Sequence, residues 1–179
     1  MVAVFLADGF EEIEATAPID LLRRAKIETL VVGVGKLEIT SARNMRYVAD
    51  ISTKELADEH VFEAVVLPGG LPGATNLEAC PEVLNAVQNT IESGGLIAAI
   101  CAAPVMLANW GVLENKRATV FPAHKDKLKE NYLAEPIVTD FPFITANAAG
   151  AAIDFALELI KQLRSQELMC EIKNSIYYR

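Results

Sequence analysis

Four runs of unbroken apolar residues constrain this chain more than any other feature: Val2 to Leu6, Thr29 to Val34, Ala64 to Leu67 and Leu96 to Ile100. A strand wetted on one face alternates apolar and polar residues, whereas a strand covered on both faces reads as continuous. These four runs are therefore expected in the middle layer of a sandwich. A weaker pair, Ile137 to Thr139 and Phe143 to Thr145, extends the series. Between the runs lie helical patterns. "IEATAPIDLLRRA" places Ile13, Ala17, Ile19, Leu22 and Ala25 along one stripe. "PEVLNAVQNTIESGG" opens on proline and closes on paired glycines, and "AAIDFALELIKQL" repeats apolar residues at helical spacing. Strand alternating with helix predicts an α/β fold with a mainly parallel sheet wrapped by helices. The stretch "LEITSARNMRYVADI", Leu37 to Ile51, holds β-formers without helical periodicity and is expected as a small β excursion at one sheet edge. "SQELMCEIKNSIYYR" predicts a last helix with an aromatic tail on the surface.

With 179 residues, 52% of them hydrophobic, the chain can bury one sizeable core and is too short for two ordinary domains, so 1–179 is expected to form one. Its 16 basic and 24 acidic residues give a formal charge of −8. That charge repels phosphate backbones and anionic lipid, so no nucleic-acid or membrane partner is expected. A small molecule or another protein fits better. The start, "MVAVFLADGFEE", lacks a basic n-region and is expected to be a first strand rather than a signal peptide; no run reaches the length of a membrane span. A cytoplasmic protein is expected. Cys80, Cys101 and Cys170 are odd in number and widely spaced, with only His60 and His124 as imidazoles. Neither a disulfide framework nor a metal site is expected, and nothing in the sequence calls for a cofactor.

Open parallel sheets bind ligands at the carboxyl ends of their strands. Two such ends carry unusual chemistry here. At Leu67-Pro68-Gly69-Gly70 the glycines permit a sharp turn and leave amides free to approach a ligand. At Ile100-Cys101-Ala102-Ala103-Pro104 a strand becomes a helix within about two residues. A cysteine at that corner meets unpaired helix N–H groups, which favour thiolate over thiol, and small neighbours that admit a substrate. The amides of Gly70 and Ala102 are placed to hold an oxyanion. The residues alone leave a second reading open, in which Cys101 is a small core hydrophobe.

The order "ADGFEEIEA", "LPGG", "LIAAICAAP" and "FPAHKDKL" resembles the ThiJ/PfpI superfamily, in the branch of the parkinsonism-associated protein deglycase and its bacterial relatives. The similarity runs from the first strand to the "AIDFALELI" helix. What the resemblance implies is a flavodoxin-like three-layer sandwich of the class I glutamine amidotransferase type, assembled as a homodimer, with Cys101 as the nucleophile-elbow cysteine. It also assigns Glu14 as the acid beside the sulfur. The residues themselves do not choose among Glu11, Glu12 and Glu14, although Glu14 lies close to the buried stripe and the other two suit helix N-terminal acids. A carboxyl there is expected to have a raised pKa and to donate a proton near neutrality.

The sequence departs from the family pattern twice. Where many relatives have a catalytic histidine, Phe121 stands; His124, three residues on, is at most an accessory group and fits a solvent-exposed loop. Asn147, Ala148, Ala149 and Gly150 replace a Gly-Pro-Gly segment that lines the cleft in relatives. Arg23, Arg24 and Arg43 match family arginines near the dimer interface. The function implied is a glyoxalase III or protein deglycase-like enzyme that acts on reactive α-oxoaldehydes, or on glycated adducts, through a Cys101 hemithioacetal with Glu14 as proton shuttle. The alternative is non-enzymatic, a redox-sensing thiol with a chaperone-like protective role.

Overall fold

The computed structural model describes residues 1–57 and 60–179. In chain order the elements are β1 (Val2–Leu6), α1 (Glu12–Arg24), β2 (Thr29–Gly33), β3 (Glu38–Thr40), β4 (Arg46–Val48), β5 (Ile51–Ser52), β6 (Ala64–Leu67), α2 (Gly73–Glu78), α3 (Pro81–Glu92), β7 (Leu96–Ile100), α4 (Ala103–Asn109), β8 (Ile137–Asp140), β9 (Phe143–Ala146), α5 (Ala152–Leu163) and α6 (Gln166–Ser175). Seven strands form one sheet in the order β5-β2-β1-β6-β7-β9-β8, parallel throughout except for β8 against β9. Helices cover both faces, and the fold is the flavodoxin-like α/β sandwich the sequence predicts.

The continuous apolar runs are read twice, once by each face. Val2, Val4 and Leu6 of β1, with Val66 of β6 and Ala98 and Ile100 of β7, pack under α1, α5 and α6 against Leu22, Phe155 and Ile160. The intervening Ala3, Phe5, Val65, Leu67, Ile97 and Ala99 pack under α3 and α4 against Val83, Val87, Met106 and Leu107. Strand period two sends successive side chains to opposite layers, and both layers are dry. Each large side chain so buried contributes about 1.5–3 kcal/mol.

Two expectations are corrected. The stripe predicted for α1 holds only toward its end: Leu22 and Ala25 are buried and Ala17 and Ile19 half-buried, but Ile13 is 55% exposed, and the inner positions of the first turns are Glu12, Glu14, Ala15 and Pro18. The helix is rotated because its first turn faces polar partners at the sheet's carboxyl edge, and carboxylates there are held better than an isoleucine would be. The β excursion also divides. Only β5 joins the sheet edge, whereas β3 and β4 form a separate antiparallel hairpin. That hairpin sits over the β1–α1 corner, with Gly9 N donating to Thr40 O at 2.8 Å and Thr40 N donating to Asp8 Oδ1 at 2.9 Å.

The strand order reverses between β1 and β6, since β1 leads to β2 on one side and the chain returns to β6 on the other. Register pairs Leu67 with Ala99 and Ile100 with Ala146, so the ends of β6, β7 and β9 lie level beside that point. No helix among the described residues is long and apolar enough to cross a membrane.

Candidate active site

Cys101 follows the last residue of β7 with φ of +63°, left-handed backbone that costs a non-glycine residue about 1–2 kcal/mol. The corner is fixed on both sides. Cys101 N donates to Ala146 O at 2.8 Å, and its carbonyl accepts from Phe121 N at 2.9 Å. Strained backbone held by β9 and by the segment after α4 presents the side chain at the sheet's carboxyl edge, half-buried.

Three separate parts of the chain meet at Gly69. A Cβ at that position would lie 2.7 Å from Glu14 Oε2, 2.8 Å from Cys101 Cβ and 2.9 Å from Ala102 N, so only glycine lets α1, the β6 turn and the elbow approach this closely. Gly69 N donates to Glu14 Oε2 at 2.8 Å, and Gly69 O accepts from Glu11 N at 3.0 Å. Gly70, at φ +84°, turns the chain so that its amide and that of Ala102 act as donors to the Cys101 sulfur.

Glu14 is wholly buried on α1. Its Oε2 is held by Gly69, its Oε1 has no hydrogen bond of good geometry, and the side chain with which this carboxyl interacts is the Cys101 thiol. Burial pushes Glu14 up to about 7, with Glu11 adding to the rise, while the thiol and the Gly69 amide pull the other way. Cys101 is also pushed up, to about 12, by burial first and then by the charge and hydrogen bonding of the Glu14 carboxylate; the Ala102 and Gly70 amides oppose this. The sequence-based expectation of a thiol acidified by the helix start is therefore corrected. A neighbouring buried carboxylate and desolvation outweigh two amides at the head of a seven-residue helix. Together the two groups hold one proton between about pH 7 and 12, and that proton belongs to the pair.

The structure thus brings Cys101, Glu14, Gly70 and Ala102 together. His124 is not in hydrogen-bond contact with Cys101 or Glu14. It sits half-buried on the 3-10 helix Pro122–Lys127, its ring 6.1 Å from that of Phe121, in a small cavity that Ala102 also lines. Residues 147–150 follow β9 directly, with Asn147 N donating to Pro136 O at 3.0 Å. Arg23 pairs with Asp50 at 3.0 Å and Arg24 with Asp20 at 2.7 Å, both in exposed surroundings. Cys80 is buried at the head of α3 and bonds Glu82 Oε2 at 3.0 Å; Cys170 is exposed on α6.

Sequence reasoning missed Glu12. It is a buried carboxylate that accepts from Ser41 Oγ at 2.5 Å and from Arg43 N at 2.6 Å, and so ties the hairpin turn to α1. Glu11, by contrast, caps α1 as expected, accepting from Glu14 N at 2.8 Å. Three acids in four residues signal a crowded helix start, but nothing local points to a partner 29 residues away.

Residues 1–162 match the DJ-1/PfpI family. The chain belongs to that family. The Drosophila melanogaster protein dj-1beta is 36% identical over 177 residues, covering 97% of this chain and 94% of that protein. The glutathione-independent glyoxalase DJR-1.2 of Caenorhabditis elegans is 33% identical over 160 residues, covering 88% and 84%. Toxoplasma gondii DJ-1, solved in an oxidized form, superposes with a TM-score of 0.96 at 29% identity, covering 99% and 97% of the two chains. As a DJ-1/PfpI protein, the chain carries its elbow cysteine and its helix glutamate on the family's own fold.

Proposed function

We propose that this DJ-1/PfpI protein is a cysteine-dependent enzyme that converts small 2-oxoaldehydes to 2-hydroxy acids without glutathione. The observation that carries this reading is the carboxyl of Glu14, raised to about 7, set against an elbow thiol that receives the amides of Gly70 and Ala102. A neutral thiol is a weak nucleophile, and an adjacent base half-ionised at neutral pH is what it needs. The glyoxalase name of the nematode relative supports the same class of reaction.

The Cys101 sulfur adds to the aldehyde carbon. As the C–S bond forms, the S–H proton passes to the Glu14 carboxylate and the carbonyl pair moves onto oxygen, where the Gly70 and Ala102 amides steady it. Glu14 returns that proton to the oxygen and completes the hemithioacetal. It then removes the hydrogen on C1 as a proton and delivers a proton to C2, while the proton of the C1 hydroxyl passes to the C2 oxygen through the enediol. C1 is thereby oxidised to a thioester and C2 reduced to an alcohol within one molecule, so no external oxidant enters. Water cleaves the thioester, releasing the 2-hydroxy acid and the thiol. On an early glyoxal adduct the C–S bond forms at the hemiaminal carbon as the C–N bond breaks, the thiol proton passing through Glu14 to the departing amine, and the same hemithioacetal results, which is the deglycase form of the reading. The working unit is proposed to be a homodimer that covers the apolar hollow of about 760 Å³ lined by Ile13, Ala17, Leu21, Ile153 and Tyr178, a state that sedimentation reads directly.

The test is conversion of methylglyoxal to lactate by purified protein without glutathione. Wild type is expected to turn over and Cys101→Ser to be inactive; activity retained by the serine variant sinks the reading. The redox-sensor alternative is less favoured, because peroxide reacts with thiolate and this thiol is raised to about 12. Uptake of two oxygen atoms at Cys101 under mild peroxide, with no turnover, would reverse that preference.

A further inference from the structure

A cavity of about 150 Å³ opens beside the elbow, lined by Leu71, by α2 and α4 and by the 3-10 helix Pro122–Lys127. Ala102, one of the two residues whose amides reach the Cys101 sulfur, lines it, and so does Leu71, which follows the other. The floor is apolar, with Met106 fully buried beneath it. The outer wall carries two basic residues, His124 and Lys127. They lie three apart on the 3-10 helix Pro122–Lys127, a geometry with three residues per turn that stacks them on one face. Among the described residues neither side chain has a hydrogen bond or an ion pair; the imidazole pairs with the Phe121 ring, centroids 6.1 Å apart. One acid, Glu78, also lines the cavity, and its Oε1 is engaged by Asn109 Nδ2 at 2.8 Å.

A short slot that passes beside the elbow at Ala102, the residue after the nucleophile, and holds apolar atoms and two unpartnered basic groups matches one shape of ligand. We propose that it selects aldehydes with a short chain ending in an anion, a carboxylate or a phosphate, with Lys127 and His124 as the specificity residues. The proposal rests on the reading of Cys101 as nucleophile. The overall charge of −8 makes the selection local, since the long-range field of the molecule repels anions.

The test compares two alkylating agents of nearly equal size, iodoacetate and iodoacetamide, which differ in charge at the end remote from the reacting carbon. Their rates at Cys101 are followed by peptide mass spectrometry in wild type, Lys127→Ala, His124→Ala and Glu78→Gln. The iodoacetate-to-iodoacetamide ratio is expected to fall about fivefold in Lys127→Ala, the scale of one solvent-exposed ion pair, to fall less in His124→Ala, and to rise in Glu78→Gln. An unchanged ratio in Lys127→Ala and His124→Ala overturns the proposal. Three aldehydes then separate the sources of the anion: methylglyoxal as the neutral reference, mesoxalate semialdehyde for a carboxylate and hydroxypyruvaldehyde phosphate for a phosphate. The anion preferred over methylglyoxal by wild type, with a preference lost in Lys127→Ala, is the one the slot takes. Methylglyoxal turnover with a flat alkylation ratio sinks the slot and leaves the enzyme reading standing; a shifted ratio without any turnover does the reverse.

Discussion

Glu12 and Glu14 stand two residues apart on the first turn of α1, and both are buried, at 8% and 0% exposure. Their carboxyls nevertheless move in opposite directions. Burial raises Glu12, but the Ser41 hydroxyl, its own amide and the Arg43 amide more than offset it, and the group ends below the ordinary carboxylate range. Burial raises Glu14 too, and there a single amide and a thiol do not offset it, so it ends at about 7. The lesson is one of donor supply: two well-aimed donors on Oε1 favour the anionic form of Glu12, which anchors a hairpin, and one donor too few leaves the Glu14 carboxyl raised. Neighbouring positions on one helix turn are thereby divided between architecture and chemistry.

The strongest way to break this contrast is Glu14→Gln. It is expected to lower kcat/KM for methylglyoxal by about 10²–10⁴-fold, the range for loss of a general base. In the same variant the Cys101 thiol pKa should drop below its value of about 12, because the carboxylate charge that raises it is gone. A thiol titration showing lower pKa together with lower turnover distinguishes a base from a mere filler; unchanged turnover removes Glu14 from the chemistry.

Next in size is the pH dependence of stability, where the two acids oppose each other. Glu14 has a folded pKa above its unfolded one, so its contribution is full below about 4.5 and is lost as pH rises through about 7, a loss of roughly 3 kcal/mol. Glu12 has a folded pKa below its unfolded one, so its contribution is present above about 4.5 and is lost as pH falls through the lowered value. Denaturant unfolding is therefore expected to show Glu14→Gln gaining on wild type as pH goes from about 5 to 8, and Glu12→Gln, less stable than wild type above about 4.5, closing on it as pH falls below that value. Parallel curves for the two variants would end the comparison. The smallest effect is expected at the residue between helix and elbow. Gly69→Ala forces a Cβ against a carboxylate oxygen and a backbone nitrogen, and should cost about 1–3 kcal/mol of stability by thermal or denaturant melting.

The sheet was legible because burial on both faces leaves a plain mark: the runs at Val2–Leu6, Ala64–Leu67 and Leu96–Ile100 are strands over those same residues. The elbow was legible from small residues and a proline around one cysteine. What could not be read depends on contacts between distant segments. Ile13 looks like a core residue by periodicity and lies outside, because the helix's rotation is set by the hairpin at residues 41–45 and by Gly69, neither of which marks the helix sequence. The direction of the Cys101 shift was misread for a related reason. Helix-start amides are implied by local sequence, whereas the opposing charge arrives from α1, 87 positions earlier, and its weight depends on how dry the meeting point is.

Both main-chain groups of Cys101 are tied, the N–H to Ala146 and the carbonyl to Phe121. The corner cannot pivot to chase its target; the sulfur has only rotation about its own Cα–Cβ bond. Every reacting molecule must consequently bring itself into line with a sulfur whose position is set in advance. Selectivity at this sulfur is then a matter of which visitors can enter and lie still there, and the architecture acts as a fixed anvil on which they are tried for fit.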